Sequence, residues 1–119
     1  MRLLLTIFLA FSIPENDCST FYLIRHAEKV RINKTDGDPA LNEKGMIRAL
    51  NWRDFFIDKD ISKIYSTNYK RTLETIKPIE VAMGLTAILY SPSSIDYKSF
   101  ISSNKGEIVP VSYTHLTLP

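Results

Sequence analysis

The chain predicts an α/β fold, a mostly parallel sheet flanked by helices, and three observations predict it. Short apolar runs alternate with helical periodicity in the order strand, helix, strand, helix, strand, loop, strand. The 119 residues allow at most one domain, and 45% hydrophobic with 24% charged residues is a globular composition. The first apolar run, Phe21-Tyr22-Leu23-Ile24, has the length of a buried strand and ends on Arg25 and His26. No internal repeat or low-complexity tract interrupts the pattern.

The elements follow in order. Met1-Arg2 supply positive charge, Leu3 to Phe11 are apolar apart from Thr6, and Ala10-Phe11-Ser12 offers small residues for cleavage. This resembles a secretory signal peptide, too short to span a bilayer comfortably. Residues 1–18 are therefore set aside as signal and mature tail, which predicts a secreted or periplasmic protein with no stable membrane span after cleavage. Cys18 is the only cysteine, so no internal disulfide can form. The first strand is expected at Phe21 to Arg25, and the polar stretch Lys29 to Pro39 reads as a loop. Asn42 is a plausible cap for a helix in which Gly45, Ala49, Trp52 and Phe56 step along one face, widened by Met46, Leu50 and Ile57.

Ile61 to Tyr65 reads as a second strand, and Ser66-Thr67-Asn68 as a turn and helix cap. Thr72, Ile76, Ile79 and Met83 form the apolar stripe of a second helix, which Pro78 should kink or split. Gly84 fits the position just past a helix end. Thr86 to Tyr90 is a third strand, Ser91 to Gly106 an irregular polar stretch, and Ile108 to Val111 a fourth strand weakened by Pro110.

A net charge of +2, with no basic run or aromatic stacking array, argues against a nucleic-acid surface. Arg25 and His26 point elsewhere. Ligands of open α/β sheets bind beyond the carboxyl ends of strands. A guanidinium there suits a phosphate, and an imidazole can attack phosphorus. The bland alternative is a surface ion pair beside a satisfied polar histidine. Arg71 strengthens the chemical reading. It falls in the first turn of the second helix, which the second strand delivers to the same sheet edge, close to free helix amides. Its own bland alternative is an exposed helix arginine paired with Glu74 or Glu80.

Three segments carry a resemblance. Phe21-Tyr22-Leu23-Ile24-Arg25-His26-Ala27-Glu28 resembles the hydrophobic strand and Arg-His-Gly signature of the histidine phosphatase superfamily, also called phosphoglycerate mutase-like, with Ala27 in place of glycine. Leu41-Asn42-Glu43-Lys44-Gly45-Met46-Ile47-Arg48-Ala49 is similar to that family's Leu-Thr-x-x-Gly-x-x-Gln-Ala helix start. Tyr65-Ser66-Thr67-Asn68-Tyr69-Lys70-Arg71-Thr72-Leu73-Glu74-Thr75 is similar to its Ser-Ser-x-x-x-Arg-Ala-x-x-Thr segment. The resemblance covers residues 21 to about 90 and is nearer the short, single-domain phosphatases, because the long insertion of the true mutases is absent.

The resemblance implies that His26 is the nucleophile and becomes a phosphohistidine, and that Arg25 and Arg71 bind phosphoryl oxygens. Asn68, just ahead of Arg71, joins them as a substrate-binding candidate. Phosphoryl transfer needs positioning and charge neutralisation above all, and arginines can supply the charge without a metal or other cofactor. Flanking cations also keep the imidazole neutral. A proton donor must assist the leaving oxygen. Glu28 is the first candidate and Asp96, in the loop after the third strand, the second.

The family's second histidine, in a Gly-His-Ser motif after a later strand, has no clear counterpart. His115 is neither preceded by glycine nor followed by serine. Val111 to Pro119 resembles translated adapter sequence, so the expectation is a partial histidine phosphatase domain at 19–111, truncated at its C-terminus, with 112–119 a non-native-looking tail. The implied activity is hydrolysis of phosphomonoesters or protein phosphohistidine. The partners would be a small phosphorylated substrate or a phosphoprotein. The alternatives are an inactive phosphate-binding module or fragment, and a phosphomutase.

Overall fold

The computed structural model of the chain describes residues 18–115. The expected signal segment and the last residues of the expected tail lie outside the described residues. The fold is α/β. Its elements are β1 (Thr20–Arg25), α1 (Glu43–Phe56), β2 (Tyr65–Ser66), α2 (Lys70–Met83), β3 (Ile88–Leu89), α3 (Tyr97–Ser103) and β4 (Ile108–Tyr113). The strands form one sheet in the order β1-β4-β2-β3, and every pairing is parallel. All four carboxyl ends therefore share one edge, where an α/β sheet binds ligands. No helix among the described residues is long and apolar enough to cross a membrane.

Strand alternation decides which face each helix covers. Tyr22 and Ile24 point to the α1/α2 side, where Ile24, Phe56, Ile61, Ile64, Ile76 and Ile79 make the core. Tyr22 meets Phe55 and Phe56 edge-on, with ring centroids 5.5 and 5.2 Å away. Phe21 points the other way, onto Phe100 of α3 at 5.2 Å, and Tyr65 of β2 meets the same ring at 4.8 Å.

The helix starts and stops have local causes. Asn42 caps α1 by accepting from Gly45 N at 2.8 Å. Gly84 ends α2 with φ at 66°, a left-handed conformation that favours glycine. Several expectations need correction. Met46, Leu50 and Ile57 do not join the core; Met46 is 60% exposed. Met46 and Leu50 instead line an 820 Å³ cavity between the outer faces of α1 and α2.

Paired strand begins in β2 only at Tyr65, because Ile61 makes an isolated bridge to Ile108 and the residues between them do not pair. β3 is reduced to Ile88–Leu89. Pro78 does not split α2, which continues through it to Met83. The stretch read as irregular contains α3, capped by Asp96, whose carboxylate accepts from Lys98 N at 3.1 Å and from Ser99 Oγ at 3.0 Å. That helix is too short for an apolar stripe to reveal it.

β4 is a central strand despite Pro110. Pro110 pairs with Tyr22 on β1. On its other side the β2 ladder is interrupted between the Ile61–Ile108 bridge and the Tyr65–Val111 pair, where β2 carries one residue more than β4. Such an irregularity is where a central strand tolerates the missing amide. β4 also continues past Val111 to Tyr113, and Ser112 is fully buried with its Oγ donating to Thr72 O at 2.9 Å.

Candidate active site

His26 is the first residue beyond β1, and its amide donates to Tyr113 O of β4 at 3.0 Å, which holds the residue against the sheet edge. The next residues leave the strand under close control. Ala27 N donates to Thr75 Oγ1 of α2 at 2.9 Å. Glu28 O accepts from Asn42 N at 2.9 Å, and Val30 N donates to Ala40 O at 2.9 Å. The backbone of α1 comes so close to this segment that a Cβ on Gly45 would stand 2.1 Å from Glu28 O, so only glycine fits. Ala27 is buried with Leu41 and Ala49, and no residue other than glycine has positive φ among the described residues. The departure from the glycine of the Arg-His-Gly signature therefore fills a small apolar niche without backbone strain.

The imidazole of His26 is half-buried, with Nδ1 2.8 Å from Ala27 O. A carbonyl only accepts, so this bond places a proton on Nδ1 and leaves Nε2 with its lone pair. Burial is the largest influence on the ring and lowers its pKa below 6.5. The bond to Ala27 opposes this, and the charges of Arg71, Arg25 and Lys29 add to the lowering. The ring is thus neutral at pH 7, the state a nucleophile needs.

Arg71 starts α2, and its guanidinium lies 4.6 Å from the centre of the Tyr69 ring. Its Nε and Nη1 are buried and have no hydrogen-bond partner. Buried donors without acceptors are costly, and two donors on one guanidinium have the geometry to take two oxygens of an anion. Neither Glu74 nor Glu80 is its partner: Glu74 accepts from Leu41 N and Glu80 from Ala87 N, each at 2.9 Å. Arg25 and Asn68 are exposed. A pocket of about 360 Å³ beside His26 is lined by Arg25, Lys29, Arg31, Arg48, Glu28 and Trp52. Arg71 is not part of that lining and acts on His26 from the α2 side.

Glu28 is held by Arg48, which donates from Nε at 3.0 Å to both carboxylate oxygens and from Nη2 to Oε1 at 2.6 Å. These bonds lower its pKa to about 2. So paired, the carboxylate is ionised at neutral pH and has no proton to give. Asp96 is occupied in capping α3, and its bonds to Ser99 and Lys98 lower its pKa as well. His115 leaves the end of β4 at the same sheet edge, exposed, with Nδ1 3.1 Å from Thr114 Oγ1. Sequence reasoning gave no role to Thr75, Tyr69 or Arg48. Thr75 could have been found, because four residues past Arg71 puts it on the same helix face.

The sequence profile of the histidine phosphatase superfamily (branch 1) matches residues 21–92. No curated protein matches by sequence. Among solved structures, the SixA protein of Agrobacterium tumefaciens, named a phosphohistidine phosphatase, is 22% identical with a TM-score of 0.61, over 78% of this chain and 68% of that one. The phosphoserine phosphatase of Entamoeba histolytica is 18% identical with a TM-score of 0.55, over 81% of this chain and 74% of that one. The mycobacterial glucosyl-3-phosphoglycerate phosphatase Rv2419c is 19% identical with a TM-score of 0.51, and the match spans only 35% of its length. At these identities the structural likeness speaks for the fold, and the profile match over most of the chain speaks for descent: the protein belongs to the histidine phosphatase superfamily.

Proposed function

We propose that this protein is a phosphatase that hydrolyses phosphomonoesters, or phosphohistidine on a protein, through a phosphohistidine on His26. The observation that carries the reading is the pairing of a neutral imidazole, Nδ1 tied to Ala27 O, with an arginine that has two buried and unpartnered N–H groups. Nε2 attacks phosphorus, the bond from phosphorus to the leaving oxygen breaks, and that oxygen takes a proton. Water then attacks the phosphohistidine and returns His26 free. Arg71 and Arg25 neutralise the phosphoryl oxygens, which is most of what this chemistry requires. Asn68, exposed just ahead of α2, is a candidate for a further donor. The acid role of Glu28 requires that Arg48 be drawn off it, and an arriving phosphate is a second acceptor for that guanidinium.

The proposed location outside the cytosol rests on the N-terminal segment alone, and its test is the N-terminal residue of the mature protein. The chemistry is tested by trapping. The protein is incubated with a labelled phosphomonoester and quenched in base, where phosphohistidine survives. Label on the wild type, lost in His26→Ala and kept in His115→Ala, is the expected result. Turnover without label on His26 refutes the intermediate. Binding of inorganic phosphate with neither label nor turnover identifies a phosphate-binding module instead, and label returned to substrate rather than water identifies a mutase.

A further inference from the structure

The hydroxyl of Thr75 touches both halves of the site at once. It accepts from Ala27 N at 2.9 Å and donates to Arg71 O at 2.6 Å, and the side chain is fully buried. Across its Cα, in the next peptide group, Ala27 presents its carbonyl to His26 Nδ1 at 2.8 Å. A chain of three bonds therefore runs from the backbone of the phosphate-binding arginine, through one hydroxyl and one alanine residue, to the ring nitrogen opposite the attacking one.

We propose that Thr75 is a positioning residue that fixes the tautomer and the aim of His26 relative to Arg71, a role that rests on the phosphohistidine reading above. The physical case is one of hydrogen-bond accounting. Ala27 is itself buried, so its amide needs an internal acceptor. Thr75 Oγ1 supplies it and thereby sets the position of Ala27. Free imidazole can carry its proton on either nitrogen, and the acceptor at Nδ1 decides which. An Ala27 carbonyl turned away from Nδ1 frees the ring to protonate Nε2 instead, and the nucleophilic lone pair is lost. Because the hydroxyl also binds Arg71 O, Ala27 is anchored to the turn of α2 that carries Arg71. Orientation of this kind is worth much in rate, since displacing a reacting group by about an ångström costs on the order of 100-fold.

The test compares Thr75→Val, which keeps the shape and loses the hydroxyl, with Thr75→Ser, which keeps the hydroxyl and loses a methyl. The first readout is independent of activity: the 15N shifts of the His26 ring in the full chain, which report its tautomer. Wild type and Thr75→Ser should hold the proton on Nδ1, and Thr75→Val should move it to Nε2 or mix the two. The second readout is turnover of the labelled phosphomonoester. Thr75→Val should lower kcat by about 10- to 100-fold with KM changed far less, the range seen when groups supporting a ligand histidine are removed, and Thr75→Ser should restore most of it. Equal tautomers in Thr75→Val and wild type, or equal losses in the Ser and Val variants, overturn the proposal. Should Thr75→Val not fold, the wild-type tautomer decides, because a proton on Nε2 there refutes the chain of bonds. A wild type that traps no label defeats the phosphohistidine reading, whereas the ring shifts still judge Thr75.

Discussion

Two segments leave the same edge of the sheet and are built in opposite ways. After β1, residues 26–30 are tied to β4, α1 and α2 by bonds from Tyr113, Thr75, Asn42 and Ala40, and a glycine of α1 presses against them. After β3, residues 91–96 bond mainly to themselves: Ser94 N to Ser91 O at 3.2 Å, Ser91 Oγ to Ser93 Oγ at 3.0 Å. The first segment holds the imidazole, and the second carries only the cap of a seven-residue helix. The difference teaches a division of labour. Under the proposed chemistry, the groups that must meet phosphorus at a fixed angle are the ones on which several elements agree, and a loop free of such ties can vary without disturbing them.

The sharpest way to break that comparison is to remove the charge the rigid segment faces. Arg71→Ala should lower turnover by about 100- to 1,000-fold, the usual cost of deleting one preorganised donor to a developing anion. It should also shift the pH profile. Arg71 is one of the cations that lower the His26 pKa from 6.5. In the proposed mechanism the neutral ring attacks, so activity should fall as pH drops through that pKa. Deleting Arg71 removes a lowering influence, so the acid limb of kcat/KM should move upward toward 6.5. A limb that stays in place, measured by initial rates across pH 4 to 8, would show that Arg71 does not act on the ring.

Next in size is Gly45→Ala. The added Cβ would meet Glu28 backbone oxygen at 2.1 Å, and the neighbour is main chain, which gives way only by moving the whole 26–30 segment. Overpacking of this type costs about 1–3 kcal/mol. Thermal unfolding should reveal the loss, and turnover should fall with it because the displaced segment holds His26. The same substitution made at Gly37, where nothing lies within 4 Å, should leave turnover unchanged.

The contrast also explains what was legible in the sequence. The positions of His26 after β1 and of Arg71 in the first turn of α2 were readable because each sits at a junction between element types. The steps of α1 at Gly45, Ala49 and Phe56 were readable because burial imposes a period, and all three are buried. Met46 and Leu50 misled because an apolar side chain beside the stripe carries no sign of whether anything covers it. α3 was invisible because a seven-residue helix with no buried residue has no stripe to read. The Glu28–Arg48 pair was illegible for another reason: its partners lie on different elements, 20 residues apart, and only the fold brings them together. Thr75 lies between these cases. Its position on α2 follows from periodicity, but its partner Ala27, 48 residues away, does not.

On the looser side, Asp96→Ala removes the cap of α3. Such caps are worth roughly 1 kcal/mol. Phe100 still anchors the helix on Phe21 and Tyr65, so hydrogen exchange should quicken in α3 while the β1–α1 segment and the turnover of the labelled ester stay as they were. A loss of activity equal to that of Gly45→Ala would erase the distinction between the two segments.

The smallest effect should come from the ion pair at the border of the rigid segment. If residues 26–30 are held by backbone bonds, the exposed Arg48–Glu28 pair contributes little, and Arg48→Ala should barely move the thermal midpoint at pH 7. What it should move is the titration of Glu28. The folded pKa of about 2 lies below the ordinary 4.5, so whatever the pair adds is complete above 4.5 and lost as pH falls through about 2. Thermal midpoints of wild type and Arg48→Ala should therefore converge across that window. The Glu28 carboxyl carbon, followed by NMR, should titrate near 4.5 in the variant. A midpoint difference at pH 7 as large as that of Gly45→Ala would mean that the charge pair, and not the packing of Gly45 and the bonds to Thr75 and Asn42, sets the position of the histidine.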